Sequence, residues 1–472
     1  MTWDGLVILW TDALVFLLLV CSIAFGVYAS RREHLRAPWR HVIRSKVGIG
    51  TLVVLLFYVV IGLSDSIHFH PQLDEPDNSG EVGYSSEVIS LFDQMVTGLR
   101  ARQEKTYSAP LATHLYTKET IELPDGSTIR DFPRLKHGGA HLADPKADWQ
   151  SDILALSALG IFKGLVLTLV LGNILLIFLT MRSRCSFEHT AREVLAGRTE
   201  IPWRVALTVL GLMLVVLMWS AELAGKYHLL GTDKVGEDVF YQSLKSIRTG
   251  LLIGTLTTLV MLPAAILLGI MAGYFRGWVD DVIQYTYTTL NSIPGVLLIA
   301  AAILMLQIYM SQHADEFNSL VERADLRLLF LCIILGVTSW TGLCRLLRGE
   351  AMKLREVDYV QAATAFGVGH FQIITRHIMP NVLHIVLISV VLDFSGLVLA
   401  EAVLSYVNIG VDPTMNSWGN MINSARLEMA REPVVWWSLA AAMIFMFTLV
   451  LSANLFSDVV RDAFDPRLRS SN

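Results

Sequence analysis

The chain has 472 residues, of which 53% are hydrophobic and only 17% charged, and this balance excludes an ordinary soluble protein. The formal net charge of −5 says little about partners, because the basic residues crowd into particular loops, and since nothing supports nucleic-acid binding no nucleic-acid partner is expected. The four cysteines lie in or beside apolar stretches, which predicts no disulfide framework. They are Cys21, Cys185, Cys332 and Cys344.

Apolar stretches of membrane-spanning length recur about nine times along the chain. They cover residues 6–28, 47–63, 154–181, 205–223, 246–274, 282–310, 326–347, 382–404 and 436–459. Arginines follow the first and the third stretch, so the positive-inside rule predicts an external N-terminus and a cytoplasmic C-terminus. The predicted fold class is therefore an all-α polytopic membrane protein, embedded in a lipid bilayer.

A polar segment between the second and third spans, residues 64–152, is predicted to be an extracytoplasmic insert. Apolar residues spaced along 88–99 indicate an amphipathic helix, and Asp125–Gly126 indicates the turn of a hairpin. Five histidines raise the question of a metal site, but their spacing matches no ligand motif, so a solvated loop is expected. They are His68, His70, His114, His137 and His141.

These features divide the chain into four predicted domains. They are two N-terminal transmembrane helices (1–63), the insert (64–152), a third transmembrane helix with a cytoplasmic linker (153–202) and a C-terminal region of six spans (203–472). The linker predicts a short helix that Ser186 caps and Gly197 ends. That helix is expected to lie at the membrane surface or, alternatively, to bind a partner.

The longest polar break in the C-terminal region, residues 349–381, predicts two consecutive short helices. Asp358 is the expected N-cap of the first helix, with Gln361 three residues on completing a capping box, and Gly367 is expected to end it in a left-handed conformation. The second helix is predicted from about Phe371 until Pro380 interrupts it. Two short helices between membrane spans suggest a docking device.

This segment resembles the cytoplasmic "EAA" loop of bacterial ABC-importer permeases, with Gln361 standing where the family usually has glutamate. We expect a restored glutamate there to be tolerated and to strengthen the helix terminus slightly. Further stretches resemble the dipeptide, oligopeptide and nickel branch of that family, in its C-subunit-like form. They are HLLGTDKVGEDVF (228–240), GYFRGWVDD (273–281), SIPGVLL (292–298), LAEAVLSYVNIGV (399–411), SWGNMI (417–422) and RDAFDPRLR (461–469).

The resemblance implies a type I permease core of six helices that forms half of a translocation pathway. It also implies a second permease as a heterodimeric partner, an extracytoplasmic solute-binding protein, and two ATP-binding subunits that carry the ATP and magnesium. This chain is expected to hold no cofactor or metal itself. By this resemblance, the residues expected to couple to the ATPases are Asp358, Gln361, Ala362, Ala363, Gly367, Arg376 and Pro380.

Four polar or helix-breaking residues within the spans are candidates for the translocation pathway. Ionisable side chains are costly in a membrane, so Asp393 and Glu401 are functional candidates, with satisfied assembly contacts as the equal alternative. Pro294, after Asn291, is expected to break a span and free carbonyl groups.

The full sequence lacks a GxxxxGK[ST] phosphate loop, so ATP hydrolysis is assigned to partner subunits and this chain is not expected to be an enzyme. A non-ABC secondary transporter remains the alternative class, although the halves of the chain show no convincing repeat. The resemblance favours peptides as substrate, with nickel chelates or other small solutes as alternatives. We also expect that removing the first three spans with the insert leaves a core that assembles.

Overall fold

A computed structural model describes residues 5–31, 33–72, 84–85, 87–122, 128–183, 186–313 and 319–464. Its helices are α1 (Trp10–Ser30), α2 (Glu33–Arg44), α3 (Lys46–Asp65), α4 (Leu91–Met95), α5 (Thr97–Arg100), α6 (Pro145–Ser183), α7 (Phe187–Ala196), α8 (Trp203–Ala224), α9 (Val239–Phe275), α10 (Gly277–Ser292), α11 (Gly295–Gln312), α12 (Leu320–Arg355), α13 (Asp358–Ala365), α14 (His370–Ile373), α15 (Met379–Tyr406), α16 (Trp418–Glu428) and α17 (Trp437–Phe464). Nine helices within these described ranges are long and apolar enough to cross a membrane. The predicted all-α polytopic class is confirmed.

The few strands lie in the N-terminal part of the chain. Strands β1 (Leu6–Val7), β2 (His68–Phe69) and β3 (Ile89–Ser90) form an antiparallel sheet in that order. Strands β4 (Glu119–Glu122) and β5 (Thr128–Asp131) form the predicted hairpin, whose expected turn at Asp125–Gly126 lies outside the described residues. The helix predicted along residues 88–99 is instead a strand followed by α4 and α5, because the backbone leaves the helical conformation at Val96.

The span predicted over residues 282–310 is two helices, of which α11 alone qualifies as a membrane crossing. Helix α10 ends at Ser292, and Pro294 is the N-cap of α11. Proline disfavours a helical conformation in the residue before it, and Ile293 is accordingly extended, with φ −89° and ψ 129°.

The caps predicted for α7 are both present because they depend only on neighbouring residues. The Ser186 hydroxyl accepts a hydrogen bond from the backbone N–H of His189, and Gly197 is left-handed with φ +67°.

The chain folds into two compact units, whose bounds differ from the predicted domains. The first unit comprises Met1–Val7, Ala37–Thr249 and Asn416–Val459. Within it α6 and α8 approach closely at two glycines spaced four apart: a Cβ on Gly160 would lie 2.7 Å from the Cα of Trp219, and one on Gly164 2.6 Å from the Cα of Val215. Small residues at this spacing allow membrane helices to pack backbone against backbone.

The insert is bonded to other parts of the first unit through its backbone. The N–H of Glu104 donates to the carbonyl of Gly236 at 2.9 Å, and the N–H of Leu111 donates to the carbonyl of His228 at 2.9 Å. The indole N–H of Trp437 in turn donates to the carbonyl of Thr232 at 2.9 Å. The first two contacts argue against our expectation that the core assembles without the insert and the first three spans, because their loss would leave the carbonyls of His228 and Gly236 without these partners.

The second unit comprises Ile8–Arg36, Gly250–Met415 and Val460–Asn472. Helix α1 packs against α12 there, and its Thr11 N–H donates to the buried carboxylate of Asp325 at 3.1 Å. The first span is therefore part of the same compact unit as α10, α11, α12 and α15 of the predicted core, whereas α8 and most of α17 belong to the first unit. Apolar side chains from α9, α12 and α15 form the main core of this unit.

Candidate coupling loop and membrane-embedded polar residues

The polar break predicted at residues 349–381 lies between α12 and α15. Helix α12 ends at Arg355, and α13 and α14 follow. One π-helical turn over Ile374–Ile378 then joins α14 directly to α15. We call residues 356–380 the coupling loop.

One side of the coupling loop is buried in the core of the second unit. Val360 of α13 is 1% exposed, and Ile373 and Ile378 are fully buried among apolar side chains of α9, α12 and α15. Burying a side chain of this size stabilises a structure by about 1.5–3 kcal/mol. Apolar contacts therefore fix the position of both short helices.

Polar contacts brace the same loop at two points, and a third fastens the end of α12 just before it. The ring nitrogen Nδ1 of His370 is 2.8 Å from the hydroxyl of Tyr274, whose backbone carbonyl accepts a hydrogen bond from Arg355 at 2.7 Å. Arg276 forms an ion pair with Glu356 at 2.6 Å. Residues of the sequence motif at 273–281 thus contact the coupling loop. The spacing of residues in the sequence did not predict these contacts.

The predicted capping box is wrong. Val357 is extended, with φ −76° and ψ 139°, and is the N-cap of α13, so Asp358 is already the first helical residue. Gln361 therefore lies one residue too far along, and its Nε2 donates to the Glu356 carbonyl at 3.1 Å. Asp358 still places its negative charge in the first turn, where the charge interacts favourably with the positive end of the helix dipole.

Gly367 ends α13 in the left-handed conformation that the sequence predicted, with φ +76°. The N–H of Val368 donates to the Ala363 carbonyl at 3.1 Å and the N–H of Gly367 to the Thr364 carbonyl at 3.0 Å, the bonding of a Schellman motif. A Cβ at this position would meet no described atom within 4 Å. Only the backbone conformation therefore favours glycine within this chain.

Pro380 does not interrupt the second helix as predicted. It lies in the first turn of α15, where a missing N–H costs little, and the preceding π turn keeps the helical segment continuous. The N–H of Met379 donates to the carbonyl of Ile374, five residues back. Arg376 lies in this turn with an exposed side chain.

The outer side of the coupling loop carries two large exposed aromatic residues. Phe366 is 87% exposed and Phe371 81% exposed. Phe371 and the buried Ile378 are seven residues apart, a spacing typical of one helical face, but α14 turns Ile373 inward and leaves Phe371 exposed. Ala362 is also exposed, whereas Ala363 packs partly against the core.

The four pathway candidates occupy different environments within the second unit. Asn291 and Pro294 are exposed, and the Asn291 amide oxygen accepts a hydrogen bond from Thr341 at 3.1 Å. Asp393 is half-buried and bonds to no other residue that the structure describes. Glu401 is 2% exposed and accepts a hydrogen bond from Ser405 at 2.7 Å. A pathway role for these residues stays a prediction.

Three buried ionisable groups join the insert to the 228–238 loop. The imidazole of His228 donates to Asp238 at 2.7 Å and lies 3.4 Å from Glu104, and all three side chains are at most 3% exposed. Glu104 also accepts backbone N–H bonds from Lys136, His137 and Gly138. Sequence reasoning missed this cluster because Glu104 and His228 are 124 residues apart.

The pKa values in this cluster favour the charged forms. Burial by itself lowers the pKa of His228, but its hydrogen bonds to Asp238 and Glu104 outweigh burial and raise it to about 9. Burial by itself raises the pKa of Glu104, yet His228 and the three backbone donors lower it to about 2. An imidazolium between two carboxylates therefore fastens the insert at neutral pH.

Within the residues that the structure describes, no group of three or more His, Cys, Asp or Glu side chains could hold a metal ion. One of the five histidines of the insert, His141, instead contacts a carboxylate: its Nε2 atom lies 2.8 Å from the carboxylate of Asp152.

Comparison with known proteins gives a family match to the second half of the chain. Residues 265–470 match the model described as "Binding-protein-dependent transport system inner membrane component". This range contains the coupling loop and the four pathway candidates. The insert lies before it.

Individual relatives align over about half of this chain. The glutathione transport system permease protein GsiD of Pectobacterium atrosepticum is 30% identical over 245 residues, which are 52% of this chain and 74% of that protein. The oligopeptide transport system permease protein OppC of Mycobacterium tuberculosis is 32% identical over 246 residues, 52% of this chain and 78% of its own. The dipeptide transport system permease protein DppC of Bacillus subtilis is 27% identical over 242 residues, which are 51% of this chain and 69% of that protein.

Proposed function

The chain belongs to the family of binding-protein-dependent transport system inner membrane components, and from this premise we propose that it forms half of the translocation pathway of an ATP-driven importer. The family is one of multi-pass membrane permeases, which are not catalytic themselves. We assign ATP and magnesium binding to two partner ATPase subunits. The coupling loop is the proposed contact with them.

The observation that carries this proposal is the two-sided character of the coupling loop. Its inner side is anchored by Val360, Ile373 and Ile378, while Phe366 and Phe371 are exposed on its outer side. Aromatic residues that a rigid support holds in solvent are typical anchors of a protein interface. A motor that binds this surface can transmit its motion because the support shares the core of α12 and α15.

We propose peptides as the substrate class. The supporting observation is that the relatives are named for oligopeptide, dipeptide and glutathione transport. Nickel chelates and other small solutes are the alternative substrates, and a secondary transporter is the alternative class. The proposed system also contains a second permease as heterodimeric partner and an extracytoplasmic solute-binding protein.

The proposed function is tested by reconstituting the full chain with its partner permease and ATPases in proteoliposomes. We expect uptake of a labelled oligopeptide that requires ATP and the solute-binding protein. Uptake driven by an ion gradient without the ATPases would instead assign the chain to secondary transport. ATP-dependent uptake of a labelled nickel chelate, with no uptake of the oligopeptide, would overturn the substrate class alone.

We propose that the N-terminus lies outside and the C-terminus in the cytoplasm of a bacterial inner membrane. Arginines after α1 and after α6 support this orientation through the positive-inside rule. In a cysteine-free background, a cysteine at the exposed Lys118 of the insert should react with an impermeant reagent from outside, and one at Thr364 of the coupling loop should not. The reverse pattern would overturn the orientation. Ser79, the labelling position that sequence alone suggests, lies outside the described residues.

We also propose that Asn291, Pro294, Asp393 and Glu401 border the pathway. Asp393 supports this most directly, because it is half-buried and bonds to no other described residue, and a carboxylate without a partner is costly inside a membrane unless it meets water or substrate. Asp393→Asn should change uptake or its substrate range while the complex still assembles. Loss of assembly before any change in uptake would assign Asp393 a structural role.

A further inference from the structure

A cleft of about 690 Å³ lies in the first unit beside the three-stranded sheet. Its described walls come from β1, from the chain around β2, and from β3 and α4. A volume of this size is typical of small-molecule sites. All of these residues precede the part of the chain that matches the permease family, so the family resemblance assigns the cleft no role.

The described lining is mainly apolar and carries no acidic side chain, lysine or arginine. The lining residues are Gly5, Leu6, Ile67, Phe69, His70, Pro71, Gln72, Tyr84, Ile89, Leu91 and Gln94. Within it, the Nδ1 atom of His70 is buried and has no hydrogen-bond partner among the described residues. A buried nitrogen without a partner is unfavourable, and a ligand that bonds to it would remove that cost.

The cleft lies next to the end of a membrane-spanning helix. Ile67 follows the last residue of α3 by two positions, and the Asp65 carboxylate at that end accepts a hydrogen bond from Ser90 of β3 at 2.6 Å. The sheet is therefore held at the membrane boundary, where lipid headgroups meet acyl chains.

We propose that this cleft binds a neutral, single-chain lipid drawn from the bilayer, such as a monoacylglycerol. Its acyl chain packs against Leu6, Ile67 and Phe69, and a hydroxyl or ester group of its head bonds to His70 Nδ1. Free peptides and anionic lipids fit less well, because burying their charges requires opposite charges that this described lining lacks.

Bound lipid would contact a helix that also bonds to α9. Leu91 and Gln94 of α4 line the cleft, while Asp93 between them pairs with Lys245 at 2.5 Å and accepts a hydrogen bond from Tyr241 at 2.7 Å. Occupancy therefore holds α4 in the position from which Asp93 reaches α9.

The test uses a photoactivatable monoacylglycerol, with a diazirine on its acyl chain, added to the purified full chain in micelles. We expect crosslinks on residues 67–72 and 89–94 that unlabelled monoacylglycerol displaces. Leu91→Trp fills the cleft, and Gln94→Trp obstructs it from an exposed position that leaves the core intact. Each should weaken binding about tenfold, as expected when burial of one large apolar group is lost. Met95→Trp is the matched control, because Met95 lies on the same helix, is 73% exposed and does not line the cleft.

Retained binding by Met95→Trp together with its loss in Gln94→Trp supports the site, provided that both variants keep the thermal transition of the parent. Equal labelling of all variants would mean general partitioning at the protein surface and would overturn the proposal. Displacement by an anionic lysophospholipid or by a tripeptide, with monoacylglycerol ineffective, would overturn the neutral-lipid assignment.

Discussion

The coupling loop and the insert are both held to the rest of the fold, but by opposite kinds of contact. Apolar side chains that are almost fully buried, such as Ile373, anchor the coupling loop, whereas buried charges at Glu104 and His228 anchor the insert. The hydrophobic effect that anchors the coupling loop is non-directional, whereas a buried ion cluster requires a defined geometry of its charges. The comparison shows that burial of apolar side chains and pairing of buried charges can each fix a polar segment to a helical membrane protein.

The largest effect is expected from Glu104→Ala, which breaks the anchoring of the insert. It leaves the imidazolium of His228 and three backbone N–H groups without their acceptor, so the free energy of unfolding should fall by about 3–5 kcal/mol. Thermal unfolding of the purified protein measures the change. Glu119→Ala is the control, since Glu119 pairs with Lys105 near the surface and should lose no more than about 1 kcal/mol. Equal losses would mean that burial adds nothing to the cluster.

A matched pair two residues apart separates anchoring from docking in the coupling loop. Ile373→Ala removes a fully buried side chain and should lower the free energy of unfolding by about 2–5 kcal/mol. Phe371→Ala removes a side chain that is 81% exposed, so stability should change by no more than about 0.5 kcal/mol. We nevertheless expect Phe371→Ala to reduce ATPase copurification and ATP-dependent uptake. Normal copurification would remove Phe371 from the proposed docking surface.

The pH dependence of stability tests the charged state of the insert cluster, with a smaller effect than removal of Glu104. Because the pKa of Glu104 is lowered from 4.5 to about 2, its contribution is present above pH 4.5 and is lost as pH falls through about 2. Because the pKa of His228 is raised from 6.5 to about 9, its contribution is complete below pH 6.5 and is lost as pH rises through about 9. Thermal stability should therefore be highest between these limits. His228→Gln should flatten the alkaline decline, and an unchanged decline would assign it to other groups.

Gly367→Val tests the end of the first coupling helix. The left-handed conformation costs a residue with a Cβ about 1–2 kcal/mol, so the loop should distort and transport should fail while the protein remains in the membrane. Gly369→Val is the control, because Gly369 is extended with φ −61° and has open space around its Cβ position. Normal uptake with bound ATPase in Gly367→Val would rule out this loop as the mechanical link.

The smallest effect is expected from Gln361→Glu, and the structure reverses the sign that the sequence suggested. Glutamate would lose the hydrogen bond to the Glu356 carbonyl and would place a second carboxylate near that of Glu356, which is 3.3 Å from Gln361 Nε2. Stability should fall by a few tenths of a kcal/mol, as for other exposed like-charge pairs on helices, with uptake retained. An increase would mean that the helix dipole outweighs this repulsion.

Features that depend on a few neighbouring residues were predictable. Hydropathy along the chain was enough to identify the nine spans of the described residues, although the bounds of the sixth differed, and local chemistry was enough for the cap at Ser186 and the left-handed turns at Gly197 and Gly367. The capping box failed although it is also local. Its register depends on where α12 ends, and Val357, not Asp358, is the extended residue between the two helices.

Features that depend on distant residues were not predictable. Thr11 and Asp325 are 314 residues apart in the chain, and no periodicity relates them, yet their bond joins α1 to α12. The buried partners of Glu104 and the exposure of Phe371 likewise depend on how helices and loops pack.

By itself, the sequence determined that this chain is a helical membrane protein and which segment resembles a coupling loop, because hydropathy and turn chemistry act within one or two helical turns. Only the tertiary structure decided that the insert is fastened by an ion cluster and that Phe366 and Phe371 point outward. The reason is physical: burial and pairing are properties of groups that folding brings together, and their free energies depend on neighbours that lie far away along the chain.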